Sequence, residues 1–281
     1  MIESTASKTA LFMAAYRARA SKHPSPLCSD PWAGALAGDE GDELARRYDA
    51  VFAHMELWTA LRTAYIDERV RRATAPPWSM RQVVVLGAGL DTRAARLASP
   101  SVRFFEVDHP STQADKLARL ARLDGYPKDA ATHVACDFET EDFLERLVVS
   151  GFDPSDAAMI VWEGVAPYLT EPAVRATLSR VSERLAPESA IVFDHLTKKI
   201  VRGDVRDERD KQSREFVDGL GEPLRWGTDD VLPLLYEIGF RSVRALTFDE
   251  ICLEMTGTYE RERKFRFQSV VTASVARRPL P

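Results

Sequence analysis

The chain has 281 residues, of which 45% are hydrophobic and 29% are charged, and its formal net charge is −5. This composition is ordinary for a globular protein and argues against wholesale disorder, a collagen repeat or a coiled-coil array. Because basic residues are not in excess, the chain lacks the electrostatic footprint of a nucleic-acid-binding protein. Neither an apolar signal-type segment nor a run of 18 apolar residues occurs, so we expect a cytoplasmic protein that does not interact with membranes.

The three cysteines, Cys28, Cys136 and Cys252, are odd in number and lie more than 100 residues apart. This spacing argues against a disulfide framework and against a zinc site. We therefore expect reduced thiols and no bound metal.

The amino-terminal part, residues 1–79, has helical patterns. An Ala-rich segment predicts a short helix over 10–16, and the sequence Ser-Asp-Pro at 29–31 predicts the start of a second helix. Apolar residues at helical spacing predict a long helix over 55–72, which ends before the two prolines at 76–77. We expect residues 1–79 to form a helical cap.

Five short apolar runs follow, and helical patterns separate them. The runs span residues 82–86, 102–107, 132–136, 157–162 and 190–193, and the helices are predicted to begin near Asp91, Pro110, Thr140 and Glu171. Continuous apolar runs of this length are typical of strands that are buried on both faces of a parallel sheet. The alternation of strand and helix predicts a doubly wound α/β fold.

The carboxyl-terminal part begins with a highly charged segment. Between residues 198 and 215, 12 of 18 residues are charged, which favours a solvated helix, with a mobile lid over a site as the alternative. A helix is predicted over 229–238 and strands over 242–248 and 267–275, which we expect to pair antiparallel at one edge of the sheet. The core domain is therefore predicted to span 80–281, with a lid-like insertion at about 196–225.

A glycine loop, Gly87-Ala88-Gly89, lies between the first strand and the next helix, where backbone can approach a ligand. The third small residue of the dinucleotide fingerprint is missing, because Thr92 stands there and Asp91 precedes it. An acidic side chain is unfavourable beside a pyrophosphate. It is tolerable beside S-adenosylmethionine, which carries a sulfonium, an amino group and one carboxylate, so the loop favours a methyl donor.

Acidic residues end the next three strands. Asp108, 21 residues after Gly87, is placed to accept hydrogen bonds from a ribose diol. Asp137 is placed to accept one from an adenine amino group, and Glu163 is placed to accept one from the amino group of a methionine moiety. Each of the three residues could instead cap a helix. Because the carboxyl ends of parallel strands share one edge of a sheet, their joint occurrence predicts a nucleotide-type cofactor site.

Three segments together resemble the leucine carboxyl methyltransferase family of class I S-adenosylmethionine-dependent enzymes. They are QVVVLGAGLDTR at 82–93, FEVDHP at 105–110 with Gln113 and Lys116, and WEGVAPYL at 162–169. The similarity runs from about Thr9 to the carboxyl terminus. The family includes bacterial natural-product O-methyltransferases such as the tetracenomycin carboxyl-methylating enzymes. The resemblance implies a Rossmann-like class I methyltransferase fold, with a seven-stranded, mostly parallel sheet and helices on both faces.

The resemblance also implies which residues contact the cofactor, S-adenosyl-L-methionine. The matching positions are Gly87, Asp108, Asp137, Phe138 and Glu163. Gly89 is predicted to contact the cofactor as the second glycine of the loop. Phe138 departs from the family pattern, in which Leu usually follows the aspartate.

Arg62 resembles the family arginine that holds the methionine carboxylate of the donor. Its i±4 neighbours are apolar, and a buried arginine needs an anionic partner. The alternative is a salt bridge to Asp67 or Glu56. A basic residue near the amino terminus contributes in some relatives, and either Arg17 or Arg19 could match it.

Methyl transfer is an in-line displacement that requires alignment and exclusion of water, and it needs no metal. A carboxylate acceptor needs no general base, whereas a hydroxyl acceptor does, and the candidate bases are His195 and His109. Tyr168 and His195 are predicted to contact the acceptor, although a core tyrosine and a backbone-bonded histidine are the alternatives. No catalytic residue is assigned.

We therefore predict an S-adenosylmethionine-dependent O-methyltransferase that forms a methyl ester on a small-molecule acid. The alternatives are a hydroxyl acceptor, a protein carboxyl terminus, a nicotinamide-dependent oxidoreductase and a non-catalytic binding protein. We expect residues 1–79 and 198–220 to cover the pocket. The sequence leaves the oligomeric state open.

Overall fold

Seven strands form a single sheet in the computed structural model of the chain, which describes residues 7–52, 54–138, 140–204, 208–258 and 267–281. The strands are β1 (Gln82–Leu86), β2 (Arg103–Asp108), β3 (Ala131–Ala135), β4 (Ala158–Trp162), β5 (Ala190–Leu196), β6 (Ser242–Thr247) and β7 (Gln268–Ser274). Their spatial order is β3-β2-β1-β4-β5-β7-β6. Strands β1 to β5 pair in parallel, and β7 lies antiparallel between β5 and β6. The predicted seven-stranded, mostly parallel sheet is confirmed.

Helices connect the strands and precede the sheet. They are α1 (Lys8–Ala20), α2 (Ala33–Asp49), α3 (Met55–Thr74), α4 (Arg93–Arg96), α5 (Pro110–Leu120), α6 (Phe143–Val149), α7 (Glu171–Arg184), α8 (Lys198–Arg202), α9 (Glu208–Gly219), α10 (Leu232–Ile238) and α11 (Phe248–Thr256). Helix α2 is kinked at Gly38, where φ is 60°. Helix α11 was not predicted. It begins one residue after β6, where Thr247 and Glu250 form a capping box.

The strand residues point alternately to two apolar layers. Val83 and Val85 of β1 pack in the same cluster as residues of α1, α2, α3 and α11. Val84 and Leu86 pack with residues of α6, α7 and α10 on the opposite face. Because both faces are covered, every second residue is buried on one side and the next residue on the other. This double burial explains why the strands are continuous apolar runs without polar alternation.

The amino-terminal helices share their core with the sheet. Leu61 and Tyr65 of α3 are fully buried and belong to the cluster that contains Val83. The three cysteines are free thiols, and all three are buried. Within the described ranges, no helix is long and apolar enough to cross a membrane.

The highly charged segment forms two helices, α8 and α9, while residues 205–207 of that segment lie outside the described residues. Helix α9 carries Val217, which is buried and belongs to the cluster of α1 to α3. The segment is therefore packed on the amino-terminal helices through its apolar residues.

Candidate active site

A cavity of about 550 Å³ lies at the carboxyl ends of the parallel strands. Its floor is formed by the residues that follow β1, β2 and β4 and by the end of β5, and its cover by α1, α3 and residues of the charged segment. Both segments that were expected to cover the pocket therefore contribute to its lining. The volume is in the range of small-molecule sites, and this edge of a doubly wound sheet is where such folds bind ligands.

The glycine loop approaches the next strand end so closely that a side chain has no space. Gly87 has φ of 65°, and a Cβ atom on it would lie 2.3 Å from Cγ2 of Val165. The Gly87 amide donates to the carbonyl oxygen of Val107 at 2.8 Å, which ties the loop to β2. Only glycine meets both the left-handed conformation and the close contact.

Asp108 is held in place at the end of β2 by two backbone amides. Its Oδ2 accepts a hydrogen bond from the Gly89 amide, and its Oδ1 accepts one from the His109 amide at 2.7 Å. Burial raises the pKa of Asp108 even though the two amides favour the ionised form. Because each carboxylate oxygen has two lone pairs, Asp108 can still accept hydrogen bonds from a ligand in the cavity.

Arg62 of α3 joins two strand ends. Its Nε lies 2.8 Å from Oε1 of Glu163, and its Nη1 donates to Oδ2 of Asp194 at 2.7 Å. The other Asp194 oxygen accepts from the Gly164 amide at 2.6 Å. The expected alternative partners, Asp67 and Glu56, are not its ion-pair partners in the described part of the chain. Sequence reasoning missed Asp194, and the signal was an acid inside the apolar run of β5.

Arg93 forms a second set of buried ion pairs beside Arg62. Its Nη2 lies 2.6 Å from Oε2 of Glu163, its Nε donates to Oδ1 of Asp67 at 2.7 Å, and its Nη1 pairs with Asp91. Burial alone would raise the pKa of Glu163, but Arg93 and Arg62 together hold that pKa below its usual range. The sequence pattern predicts no role for Arg93, which is only the last residue of the segment at 82–93.

The two candidate basic residues of α1, Arg17 and Arg19, differ in their position relative to the cavity. Arg17 lines the cavity, its Nη2 donates to the carbonyl oxygen of Leu90 at 2.6 Å, and its Nε pairs with Asp30 at 3.0 Å. Arg19 pairs with Asp49 at 2.6 Å and is not part of the cavity lining. Arg17 is therefore the α1 arginine beside the site.

The cavity brings together most of the residues that were predicted as a site. Its lining includes Arg62, Gly87, Gly89, Asp108, His109, Phe138, Glu163 and Tyr168. Burial raises the pKa of the Tyr168 hydroxyl, so this residue is a protonated phenol at neutral pH.

Asp137 and His195 do not belong to the lining. Asp137 lies in the turn after β3, where its Oδ2 accepts from the Thr140 hydroxyl at 3.0 Å. His195 is buried, its ring lies 6.1 Å from that of Trp226, and burial lowers its pKa. Strand β5 continues to Leu196, so His195 points to the opposite face from Asp194. Contacts of Asp137 with the cofactor and of His195 with the acceptor stay predictions.

Residues 10–182 match the sequence model of the leucine carboxyl methyltransferase family. The chain belongs to this family. The predicted family and the predicted class of enzyme, a methyltransferase, are thereby confirmed, and the family is not one of oxidoreductases.

Two relatives carry the provisional name S-adenosyl-L-methionine-dependent methyltransferase. The one from Mycolicibacterium smegmatis is 35% identical over 69% of this chain and 68% of its own length. The one from Streptomyces coelicolor is 35% identical over 64% of this chain and 66% of its own length. The match therefore spans about two thirds of these relatives.

Two solved structures share the fold at low sequence identity. A DUF574 family protein from Streptomyces avermitilis has a TM-score of 0.66 at 10% identity, covering 95% of this chain and 97% of its own. A protein from Thermobifida fusca that is titled a methyltransferase on a provisional basis has a TM-score of 0.60 at 16% identity, covering 85% and 91%. The expected class I methyltransferase fold is confirmed.

Replacing Arg93 by methionine should destabilise the fold by about 3–5 kcal/mol, because three buried carboxylates lose their shared partner. Urea unfolding at neutral pH measures the loss. Arg146→Met is the matched control, since Arg146 is 53% exposed and pairs with Glu141 at the surface, where an ion pair contributes about 1 kcal/mol or less. Equal losses in the two variants would contradict the buried network.

The lowered pKa of Glu163 predicts a loss of stability in acid. The ionised Glu163 contributes its full stabilisation at pH values above 4.5, the ordinary pKa of a glutamate. This stabilisation is lost as the pH falls through the lower pKa that Glu163 has in the folded state. Between about pH 5 and pH 3, the free energy of unfolding should therefore fall more steeply for the wild type than for Glu163→Gln. Parallel curves from urea titrations at each pH would show that Glu163 is not held ionised by the arginines.

Proposed function

We propose that the protein is an O-methyltransferase that converts a carboxylate of a small molecule into a methyl ester. The methyl donor is S-adenosyl-L-methionine, as in the names of its relatives. When bound, the donor supplies a methyl group on a positively charged sulfur, and transfer to a carboxylate oxygen forms one C–O bond, breaks one C–S bond and moves no proton.

The residues at the floor of the cavity fit this donor. Gly87 leaves room for backbone contact, and Asp108 is a fixed acceptor for the two ribose hydroxyls. Phe138 offers an apolar face to the adenine ring. Within the described residues, Nη2 of Arg62 makes no hydrogen bond, so this nitrogen can hold the methionine carboxylate.

The acids at the floor fit the cationic centre of the donor. Asp91, Asp108, Glu163 and Asp194 all line the cavity at the strand ends. Arg62 and Arg93 hold the pKa of Glu163 down, so this side chain stays ionised. An ionised carboxylate at this floor attracts the sulfonium of the donor, and the two arginines offset part of that attraction.

The observation that carries the choice of acceptor is the state of the titratable groups in the cavity. Tyr168 is protonated, His109 shares its Nδ1 with the Ser111 hydroxyl at 2.7 Å, and the acids after β4 and in β5 are bound to Arg62. Tyr168 and the acids bound to Arg62 are therefore poor general bases, and among these groups only His109 keeps a ring nitrogen, Nε2, that could take a proton. A hydroxyl acceptor would need such a base, whereas a carboxylate is already ionised at neutral pH.

The chain's own contribution to the reaction is therefore binding and exclusion of water. Helices α1 and α3 and the charged segment cover the cavity, and the covering residues are largely apolar. A dry cavity strengthens the attraction between a sulfonium and a carboxylate, because the effective dielectric constant falls.

Replacing Asp108 by alanine should weaken binding of S-adenosyl-L-homocysteine by about 5- to 150-fold, which corresponds to about 1–3 kcal/mol for a lost charged hydrogen-bond partner. Isothermal titration calorimetry gives the dissociation constants. Asp124→Ala removes an exposed aspartate outside the cavity and should leave the affinity unchanged. An unchanged affinity in Asp108→Ala would place the nucleoside elsewhere.

Incubation with the donor and a panel of small carboxylic acids should yield methyl esters, detected by mass spectrometry and by release of methanol in base. Alcohols with the same carbon skeletons should yield no ethers, because the proposed acceptor oxygen is already ionised before transfer. Ether formation without ester formation would overturn the choice of acceptor. Binding of the donor without transfer to any acid or alcohol would overturn the enzymatic function.

A further inference from the structure

One part of the cavity is lined by aromatic rings. We define the aromatic wall as Phe12, Tyr48, Phe52 and Phe267, all of which line the cavity. Ring centroids lie 5.4 Å apart for Phe12 and Tyr48, 6.1 Å for Tyr48 and Phe52, and 6.2 Å for Phe52 and Phe267. These are contact distances for aromatic pairs, so the wall is continuous.

Helix α9 of the charged segment packs on the aromatic wall. The ring of Phe216 lies 4.9 Å from that of Tyr48 and 6.3 Å from that of Phe12. This contact orients the helix, and its neighbouring residues Arg214 and Val217 both line the cavity. Residues three apart share one face of a helix, so the apolar contact of Val217 and the charge of Arg214 are presented together.

Among the described residues, the guanidinium of Arg214 has few partners. Its Nε is buried without a hydrogen bond, and its ion-pair partner among the described residues, Asp218, lies 3.6 Å away. The guanidinium rests on Gly203, where a Cβ atom would come within 2.0 Å of Nη1. The arginine is therefore seated at the cavity with its hydrogen-bonding capacity largely unused.

The other charged residues at this end are already engaged. Glu222 accepts hydrogen bonds from the Ser7 hydroxyl at 3.2 Å and from the Thr9 amide at 3.4 Å. The side chain of Arg225 also has a partner. In the described part of the lining, Arg214 is thus the cation near the aromatic wall that an anionic group of a ligand would satisfy.

We propose that the acceptor is an aromatic carboxylic acid, whose rings pack on the aromatic wall and whose carboxylate is bound by Arg214. The inference rests on the proposed function and narrows its substrate class. The planar guanidinium matches a carboxylate in geometry, and flat rings pack well against aromatic side chains. An oxygen bound by Arg214 keeps a second lone pair, which forms the C–O bond in the transfer given above. Arg214 is then a specificity-determining residue.

Calorimetry with three matched probes tests the proposal in the presence of S-adenosyl-L-homocysteine. The probes are 2-naphthoate, 2-naphthol, which lacks the carboxylate, and decahydro-2-naphthoate, which lacks the aromatic rings. Arg214→Met should weaken 2-naphthoate binding by about 10- to 100-fold and leave 2-naphthol unchanged, because only the former loses a charged partner. The wild type should bind 2-naphthoate more tightly than its saturated counterpart.

Two further variants separate recognition from folding. Arg214→Lys should restore part of the 2-naphthoate affinity, since it keeps the charge but not the planar fork. Arg202→Met is the control, because Arg202 is an exposed arginine of the same segment that does not line the cavity. The affinity of every variant for S-adenosyl-L-homocysteine should match the wild type.

Three outcomes would overturn the proposal: no measurable binding of 2-naphthoate, equal affinity for 2-naphthoate in the wild type and Arg214→Met, or preference for the saturated acid. They are distinct from failure of the proposed function. If the proposed function fails, no acid is esterified although the donor binds. If saturated acids are esterified and Arg214→Met has no effect, the proposed function stands and the aromatic class of acceptor is refuted.

Discussion

A buried guanidinium needs anionic partners or other hydrogen-bond acceptors, and the site depends on how the chain meets this requirement for Arg93. Its partners come from α3 (Asp67), from the loop after β1 (Asp91) and from the end of β4 (Glu163). Arg62 repeats the pattern between α3 and two strand ends. Buried ion pairs do not by themselves add much stability over apolar packing. Their effect here is positional, because the same carboxylates that fix α3 against the sheet form the acidic floor of the cavity.

The strands could be predicted because burial on both faces of the sheet requires continuous apolar runs in the sequence. The first strand was predicted over 82–86 and is found there, and the acids after β2 and β4 face one cavity because parallel strands end at one edge. The pairing of Arg62 with Asp194 spans 132 residues, so no local pattern reveals it. The local alternative fails geometrically, since residues five apart on a helix differ by about 140° in direction and Asp67 faces Arg93 instead.

The charged segment shows why composition alone gave two readings, a solvated helix and a lid. Helix α9 has both properties, since Lys211 and Glu215 are exposed while Phe216 and Val217 pack inward. A count of charges does not register two consecutive apolar residues that both pack against the rest of the protein. The cavity lining beside the charged segment is built from such residues, contributed by distant parts of the chain, which is why the sequence predicted the strand-end residues of the cavity better than this part of it.

The hydrogen bonds of Glu222 have a consequence for the separation of the cavity walls. Moving α3 away from the sheet would leave buried arginines and carboxylates unpaired, at a cost of about 3–5 kcal/mol for each broken pair. Separating the start of α1 from the loop that follows α9 breaks two hydrogen bonds, from Ser7 and Thr9 to Glu222, each contributing about 1 kcal/mol. Separating the walls of the cavity therefore costs less where α1 begins than along α3.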